Sequence, residues 1–284
     1  MGAYELSLVT LVGINVLLAL SLNLITGFCG QISLGHAAFF GIGAYCGALL
    51  AKAGTGLLLC LGAGALAAGL AGVIVGVLSL RVREDFLAIS TMGVGFLFLG
   101  VVRQQEALGG ELGIAQIPEA GIGTSGFLAL VLGACLLLIA GSLYLKRSWL
   151  GFAFDSIADN EDTARGLGLD VARYKLVAFG LGTALAGFAG VLYAYYARII
   201  VPDAFGFTVS ITILAMVVVG GIGSTLGVLL AAVVLTLLPE LFRFINDYKL
   251  LLYGGLLVVT MRFAPGGLAG WLRDWRAKKA MAVP

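Results

Sequence analysis

Long apolar segments alternate with short polar ones along the chain, and most apolar segments match the length of a bilayer-crossing helix. A spanning helix needs about 20 consecutive, mostly apolar residues. The pattern therefore predicts an all-α integral membrane protein, a polytopic helical bundle with about nine (eight to ten) transmembrane helices. The predicted spans are Leu6–Ile25, Leu34–Ala51, Gly56–Leu80, Phe86–Val102, Ser125–Leu145, Tyr174–Ala197, Phe207–Gly221, Leu226–Leu238 and Leu250–Phe263.

The stretch from Phe207 to Leu238 fits either one long span or two short spans broken at the glycines after Val219. Lys and Arg concentrate in the cytoplasmic loops of membrane proteins. With two spans, 12 of the 17 basic residues share one side, which is then cytoplasmic, and the N-terminus lies outside. The resulting assignment is a single transmembrane domain at 1–284, a cytoplasmic loop at 146–175, an external loop at 103–124 and a cytoplasmic basic tail at 264–284.

Composition supports the membrane assignment. Hydrophobic residues make up 61% of the 284 residues and charged residues only 11%, against about 25% charged in soluble domains. Many of the 43 glycines lie inside apolar segments, where small residues let helices approach closely. We expect such packing at Gly43/Gly47, Gly72/Gly76 and Gly223/Gly227. The four cysteines lie in apolar stretches without C-x-x-C spacing, so we interpret them as small apolar side chains.

The polar segment between Lys146 and Lys175 separates two apolar segments and is rich in charge. Its pattern predicts one short amphipathic helix that starts next to Asp155 or Ser156, since either residue can cap a helix N-terminus. Acidic residues then fall in the first turns, where the helix dipole favours them. They are Asp159, Glu161 and Asp162. The helix is expected to end at Gly166 and Gly168.

The apolar positions of this helix form a narrow stripe of Ile157, Ala164 and Leu167. An acidic face beside a small-residue stripe is typical of docking into a groove on a soluble protein. A helix lying on the membrane surface is the less favoured alternative, because such helices prefer Lys and Arg on their polar face. The segment therefore predicts a cytoplasmic partner.

Two further groups allow a functional and a structural interpretation. Gln31, Ser33 and His36 lie near glycines at a predicted span entrance, where polar groups either line a translocation path or cap the following helix. The glycines Gly220 and Gly221 with Ser224 indicate either a discontinuous helix along such a path or a tight loop at the cytoplasmic face. The predicted topology favours the tight loop.

We predict no catalytic site and no metal site. His36 is the only histidine, and the spans hold no clustered carboxylates, so most hydrolytic schemes lack a base. The sequence also lacks the phosphate-binding pattern G-x-x-x-x-G-K-[ST], so we expect this chain to bind no cofactor and no nucleotide itself. A nucleic-acid partner is not expected, whereas membrane lipid is.

The loop residues occur in an order that is similar to a known family. They are Gly151, Ala153, Ile157, Asn160, Glu161, Ala164, Leu167, Gly168, Tyr174, Lys175 and Leu176. This order resembles the coupling loop of the M-type (LivM-like) permease subunits of branched-chain amino-acid ABC importers. The resemblance extends over nearly the whole chain, including the runs 30–40, 85–91, 216–224 and 238–240.

The resemblance implies a transmembrane subunit of an ATP-driven importer in the bacterial inner membrane. Its partners would be a second permease subunit (H-type), two cytoplasmic ATPase subunits and a periplasmic solute-binding protein. ATP and magnesium would bind to the ATPases, and the loop helix would transmit their closure to the spans. The implied coupling residues are Gly151, Ile157, Asp159, Asn160, Glu161, Ala164 and Gly168.

The chain departs from the family pattern at three positions. Family members often carry basic residues where this chain has Phe152 and Ala158, and a proline where it has Val228. The first two departures concern the polar contacts with the ATPase, and the third concerns only a helix start.

A stand-alone secondary transporter or channel for a small polar solute is the alternative function. It predicts buried acidic or basic relay residues within the spans, and the sequence places charges such as Asp85 and Arg103 only at span edges. A membrane enzyme is the weakest class for want of catalytic residues. Leucine-type amino acids, amides, urea and aromatic acids all remain open as solutes.

Overall fold

The computed structural model describes residues 2–79, 85–241, 249–264 and 266–270. Every predicted span contains a helix within these residues, which confirms the all-α class. The helices are α1 Ala3–Leu22, α2 His36–Lys52, α3 Leu57–Ser79, α4 Asp85–Gln104, α5 Gly123–Lys146, α6 Trp149–Asp159, α7 Glu161–Gly166, α8 Val171–Ala197, α9 Phe207–Gly220, α10 Thr225–Leu241 and α11 Lys249–Phe263. A π-helical turn, Asn23–Phe28, continues α1.

Seven helices among the described residues are long and apolar enough to cross a membrane. Helices α2 and α10 have 17 residues each, about one turn less than the usual 20. The protein is therefore a multi-pass membrane protein, whereas the count of about nine spans stays a prediction. Most of the predicted basic tail, 271–284, lies outside the described residues.

Helices α1 and α8 form the centre of the bundle. In their most apolar stretches, 72% and 56% of the residues are buried within the protein, compared with 17% of the residues in α5. Helix α8 packs mainly against α2 and α3, and α1 packs against α5, α8, α9 and α10. The apolar faces of α3, α4 and α5 point outward, where lipid or other membrane helices can cover them.

Glycines bring α2, α3 and α8 into backbone contact. A side chain at Gly43 in α2 would collide with the backbone of Gly187 in α8, and one at Gly72 in α3 would collide with Thr183 of α8. Gly187 also lies against the backbone of Gly64 in α3. Membrane helices associate through this kind of van der Waals contact, because lipid removes the hydrophobic drive between them.

Two of the three predicted glycine pairs are confirmed as packing sites, because Gly43/Gly47 and Gly72/Gly76 all face α8. The third prediction is confirmed in part, since Gly223 lies in the turn between α9 and α10 with φ +79° rather than on a helix, although its backbone does approach that of Gly27 closely. Gly227 alone packs from α10, against the carbonyl of Gly220. All four cysteines are free, as their apolar surroundings predict.

The connecting segments 29–35, 147–170 and 221–224 meet at one end of the bundle, which we name the loop end. The Lys146 ammonium donates to the Gly223 carbonyl (2.7 Å), and the Gly223 N–H donates to Asn23 Oδ1 (3.0 Å). These contacts agree with the predicted topology, which places all three segments on the same side of the membrane.

The opposite, far end gathers the segments around residues 53–56, 105–122 and 198–206. Ile114 and Ile200 form an isolated antiparallel bridge there. Two exposed ion pairs hold the same segments together, Arg103–Asp203 at 2.5 Å and Arg198–Glu119 at 2.7 Å.

We expect Gly43→Ala to lower the thermal stability of the detergent-solubilised protein, because the added methyl group meets rigid backbone. Overpacking of this kind costs about 1–3 kcal/mol. The matched control is Gly62→Ala in α3, where a methyl group meets open space. Size-exclusion chromatography after a series of heating steps measures both variants. Equal midpoints for Gly43→Ala and Gly62→Ala would contradict the role of backbone contact.

Candidate functional site

The segment between α5 and α8 folds into two short helices. Ser148 caps α6, since its hydroxyl accepts the Gly151 N–H at 3.4 Å. Asn160 separates the two helices in extended backbone and caps α7, because its Oδ1 accepts the Thr163 N–H at 2.9 Å. A polar cap that satisfies a free backbone N–H stabilises a helix start by about 1 kcal/mol.

The prediction of a single helix capped by Asp155 or Ser156 is therefore wrong. Both residues lie inside α6, and the Ser156 hydroxyl donates to the Phe152 carbonyl at 2.8 Å. Burial raises the pKa of the Asp155 carboxyl above its usual value, an effect that Lys146 opposes.

The inner face of α6 and α7 packs against the protein itself. Ile157 and Ala164 are 2% and 1% exposed, and Leu167 of the same predicted stripe is 76% exposed. The buried pair belongs to a small apolar cluster at the loop end. Its members are Leu24, Phe28, Cys29, Phe154, Ile157, Ala164, Val171 and Ala178. Ile157 and Ala164 therefore fix the two helices to the bundle, and their part in coupling stays a prediction.

Two of the predicted coupling glycines occupy positions in the loop where the backbone favours glycine. Gly151 is buried where the first turn of α6 crosses the end of α5, and an added Cβ would lie 2.8 Å from the Lys146 Cα. Gly168 has φ +87°, a left-handed conformation that glycine adopts without strain after a helix.

Glu161 points inward and pairs with Lys175 in the first turns of α8. The side chains are only 16% and 8% exposed. Arg165 contacts the same carboxylate from its exposed side at 3.1 Å and also pairs with Asp162 at 2.9 Å. Sequence reasoning placed Glu161 on the docking face and missed Lys175 as its partner. The signal that could have found this pair is the position of Lys175 at the start of a predicted span, because a charge there requires a counter-charge.

The outer face of the two helices combines acidic and large apolar side chains. Asp159 and Asn160 are exposed, and the Asp162 side chain is 92% exposed. Trp149 and Phe152 are 73% and 61% exposed. An exposed apolar patch with a polar rim is typical of a protein-binding surface.

An open cleft of about 1230 Å³ lies between this loop and the segment that follows α1. Its lining includes Gly30, Gln31 and Ile32 on one side and Asn160 and Glu161 on the other. The Gly30–Ile32 segment therefore adjoins the loop between α5 and α8, a contact that the sequence did not indicate.

The three polar residues near the start of α2 are buried. The Gln31 side chain donates to the Lys175 carbonyl at 2.9 Å, and His36 Nε2 lies 2.7 Å from the Ser21 hydroxyl. The Ser33 hydroxyl has no partner among the described residues. Gln31 and His36 thus bond within the protein, and a place for the three residues on a translocation path stays a prediction.

Gly220, Gly221 and Ser224 form the tight turn that the topology favours. Helix α9 ends at Gly220, and Gly221 has φ +104°. The Ser224 hydroxyl accepts the Gly227 N–H at 3.2 Å, which caps the start of α10. Their role in translocation also stays a prediction. The described residues include no group of His, Cys, Asp and Glu that could hold a metal ion.

Comparisons with known proteins agree on one family. Residues 5–261 match the family described as branched-chain amino acid transport system / permease component. The chain is 38% identical to the high-affinity branched-chain amino acid transport system permease protein LivM of Escherichia coli K12, over 91% of this chain and 68% of the relative.

More distant relatives include permeases of two kinds. The chain is 26% identical to the probable branched-chain amino acid transport permease protein LivM of Methanocaldococcus jannaschii, over 71% of this chain and 66% of the relative. It is 33% identical to the autoinducer 2 import system permease protein LsrC of Klebsiella pneumoniae, over 61% of this chain and 51% of the relative. No solved structure gives a significant match.

The long apolar helices, the charged two-helix loop and the match along nearly the whole sequence lead to one conclusion: the chain belongs to the branched-chain amino acid transport system permease family, among its LivM-like members.

Proposed function

We propose that this chain is the transmembrane permease subunit of an ATP-binding-cassette importer that moves branched-chain or related hydrophobic amino acids across the bacterial inner membrane. The observation that carries the proposal is the 38% identity over 91% of the chain to a permease named for high-affinity branched-chain amino acid transport. A stand-alone secondary transporter finds no support among the relatives.

The proposal assigns energy conversion to partner subunits. The 284 residues contain no phosphate-binding pattern, so ATP and magnesium would bind to two cytoplasmic ATPases. A second permease subunit is the expected partner in the membrane, since the relatives include both LivM and LivH permeases. A periplasmic solute-binding protein would deliver the amino acid at the far end.

The loop end would face the cytoplasm. Lys146, Arg147, Arg165 and Arg173 all belong to the segment around α6 and α7, and basic loops stay on the cytoplasmic side. The exposed surface of α6, α7 and the residue that follows α7 would bind an ATPase through Phe152, Leu167 and the exposed carboxylates Asp159 and Asp162.

We expect labelled leucine to enter proteoliposomes only when this permease, its second permease and both ATPases are supplied with internal ATP and loaded binding protein on the outside. Omission of the ATPases should abolish uptake, because nothing else in the assembly binds ATP. Uptake by the lone chain under a proton or sodium gradient would contradict the proposal. Competition by unlabelled valine, amides and aromatic acids would define the solute.

We expect a cysteine at position 162 to react with an impermeant thiol reagent only in inside-out vesicles, and a cysteine at position 111 only in intact cells with a permeable outer membrane. Asp162 and Glu111 are exposed at opposite ends of the bundle. The unmodified chain is the control for background labelling, since Cys29, Cys60 and Cys135 are buried and Cys46 is half-buried. Labelling of position 162 from outside would reverse the proposed orientation.

We expect Leu167→Ser to weaken binding of the ATPases to the detergent-solubilised permease by about tenfold, because binding would bury a leucine side chain, which is worth about 1.5–3 kcal/mol. Leu167 is 76% exposed, so the substitution should spare the fold. The matched control, Leu112→Ser, changes a leucine that is 86% exposed at the far end. Equal affinities in a pull-down titration would remove Leu167 from the binding surface.

A further inference from the structure

Helix α7 is too short to be stable without contacts to the rest of the protein. It has six residues, well below the length at which an isolated helix is stable in water. Only Ala164 of this helix is buried. The ion pair of Glu161 with Lys175 is therefore a principal connection between α7 and the membrane-spanning part of the protein.

The burial of this pair separates it from the other ion pairs of the loop. The Lys175 side chain is 8% exposed and the Glu161 side chain 16%, whereas Arg173 and Asp170 are 85% and 49% exposed. A buried ion pair adds little net stability compared with a well-packed apolar pair, but the removal of one partner costs about 3–5 kcal/mol. Fixing the relative position of two elements is its best-attested role.

Hydrogen bonds continue from this pair into the core. The Lys175 carbonyl accepts the Gln31 side chain at 2.9 Å, and the Gln31 carbonyl accepts the Thr26 hydroxyl at 2.9 Å. Thr26 belongs to the π-helical turn that ends α1. In the same turn, Asn23 accepts the Gly223 N–H at 3.0 Å.

We propose that Glu161 and Lys175 are positioning residues that transmit movement of α7 to α8 and the end of α1, and that Glu161 does not itself bind the ATPase. The inference rests on the proposed function. It differs from docking because the pair acts inside the permease, so its loss should uncouple ATP hydrolysis from transport while the ATPases still bind.

The test uses the complete complex in proteoliposomes, with the binding protein outside and ATP inside. We expect Glu161→Gln to lower the amount of amino acid transported per ATP hydrolysed at least tenfold, with unchanged ATPase affinity in a pull-down titration. The exchanged pair Glu161→Lys with Lys175→Glu should recover part of this ratio. Asp203→Asn is the matched control, since it removes a carboxylate from an exposed ion pair at the far end.

If Glu161→Gln alone fails to assemble, a second variant still tests the inference. Glu161→Gln combined with Lys175→Met removes both charges of the pair, so neither residue leaves an unpaired buried charge. This neutral double variant should assemble and remain uncoupled. A normal ratio in Glu161→Gln or in the neutral double variant would overturn the inference, as would weaker ATPase binding without a change in the ratio. Loss of assembly in all variants would assign the pair to folding alone and also overturn it. Absence of ATP-driven uptake in the unmodified complex would instead count against the proposed function.

Discussion

Backbone contact among α2, α3 and α8 is the constraint on which the rest of this bundle depends. Because Gly43, Gly64 and Gly187 have no side chains, the three helices approach until their backbones touch. Lipid supplies no hydrophobic drive between helices, so this contact is what can hold them in place. These contacts fix the position of α8, and α6 and α7 pack against its first turns.

The loop end depends on a different kind of interaction. Here polar groups that the bilayer would penalise bond to one another, as Lys175 does with Glu161 and as Asn23 does with Gly223. A buried polar group without a partner costs more than a paired one contributes. Breaking the bonds that hold the loop to the bundle therefore costs free energy, while the outer face of the loop is exposed.

The sequence predicted the large features, and the details that it missed depend on tertiary contacts. Each segment of sufficient apolar length contains a helix, and charge placed the 221–224 turn on the same side as the loop between α5 and α8, because both signals are local. The pattern could not show that Asn160 divides the loop helix, since Asp155 and Ser156 are equally good caps by residue type. Nor could it show that Glu161 faces Lys175, because the inward direction of α7 is set by packing of Ala164 and Ile157.

The π-helical turn at the end of α1 has a geometric consequence for the chain beyond it. Each residue of an α-helix rotates the chain by about 100°, so one extra residue in a wider turn re-aims everything that follows. Gln31 lies three residues beyond this turn, and its side chain donates to the Lys175 carbonyl of α8 at 2.9 Å. The number of residues between Leu22 and Gln31 is therefore as constrained as their identity, and a single deletion there would turn the segment away from its acceptor.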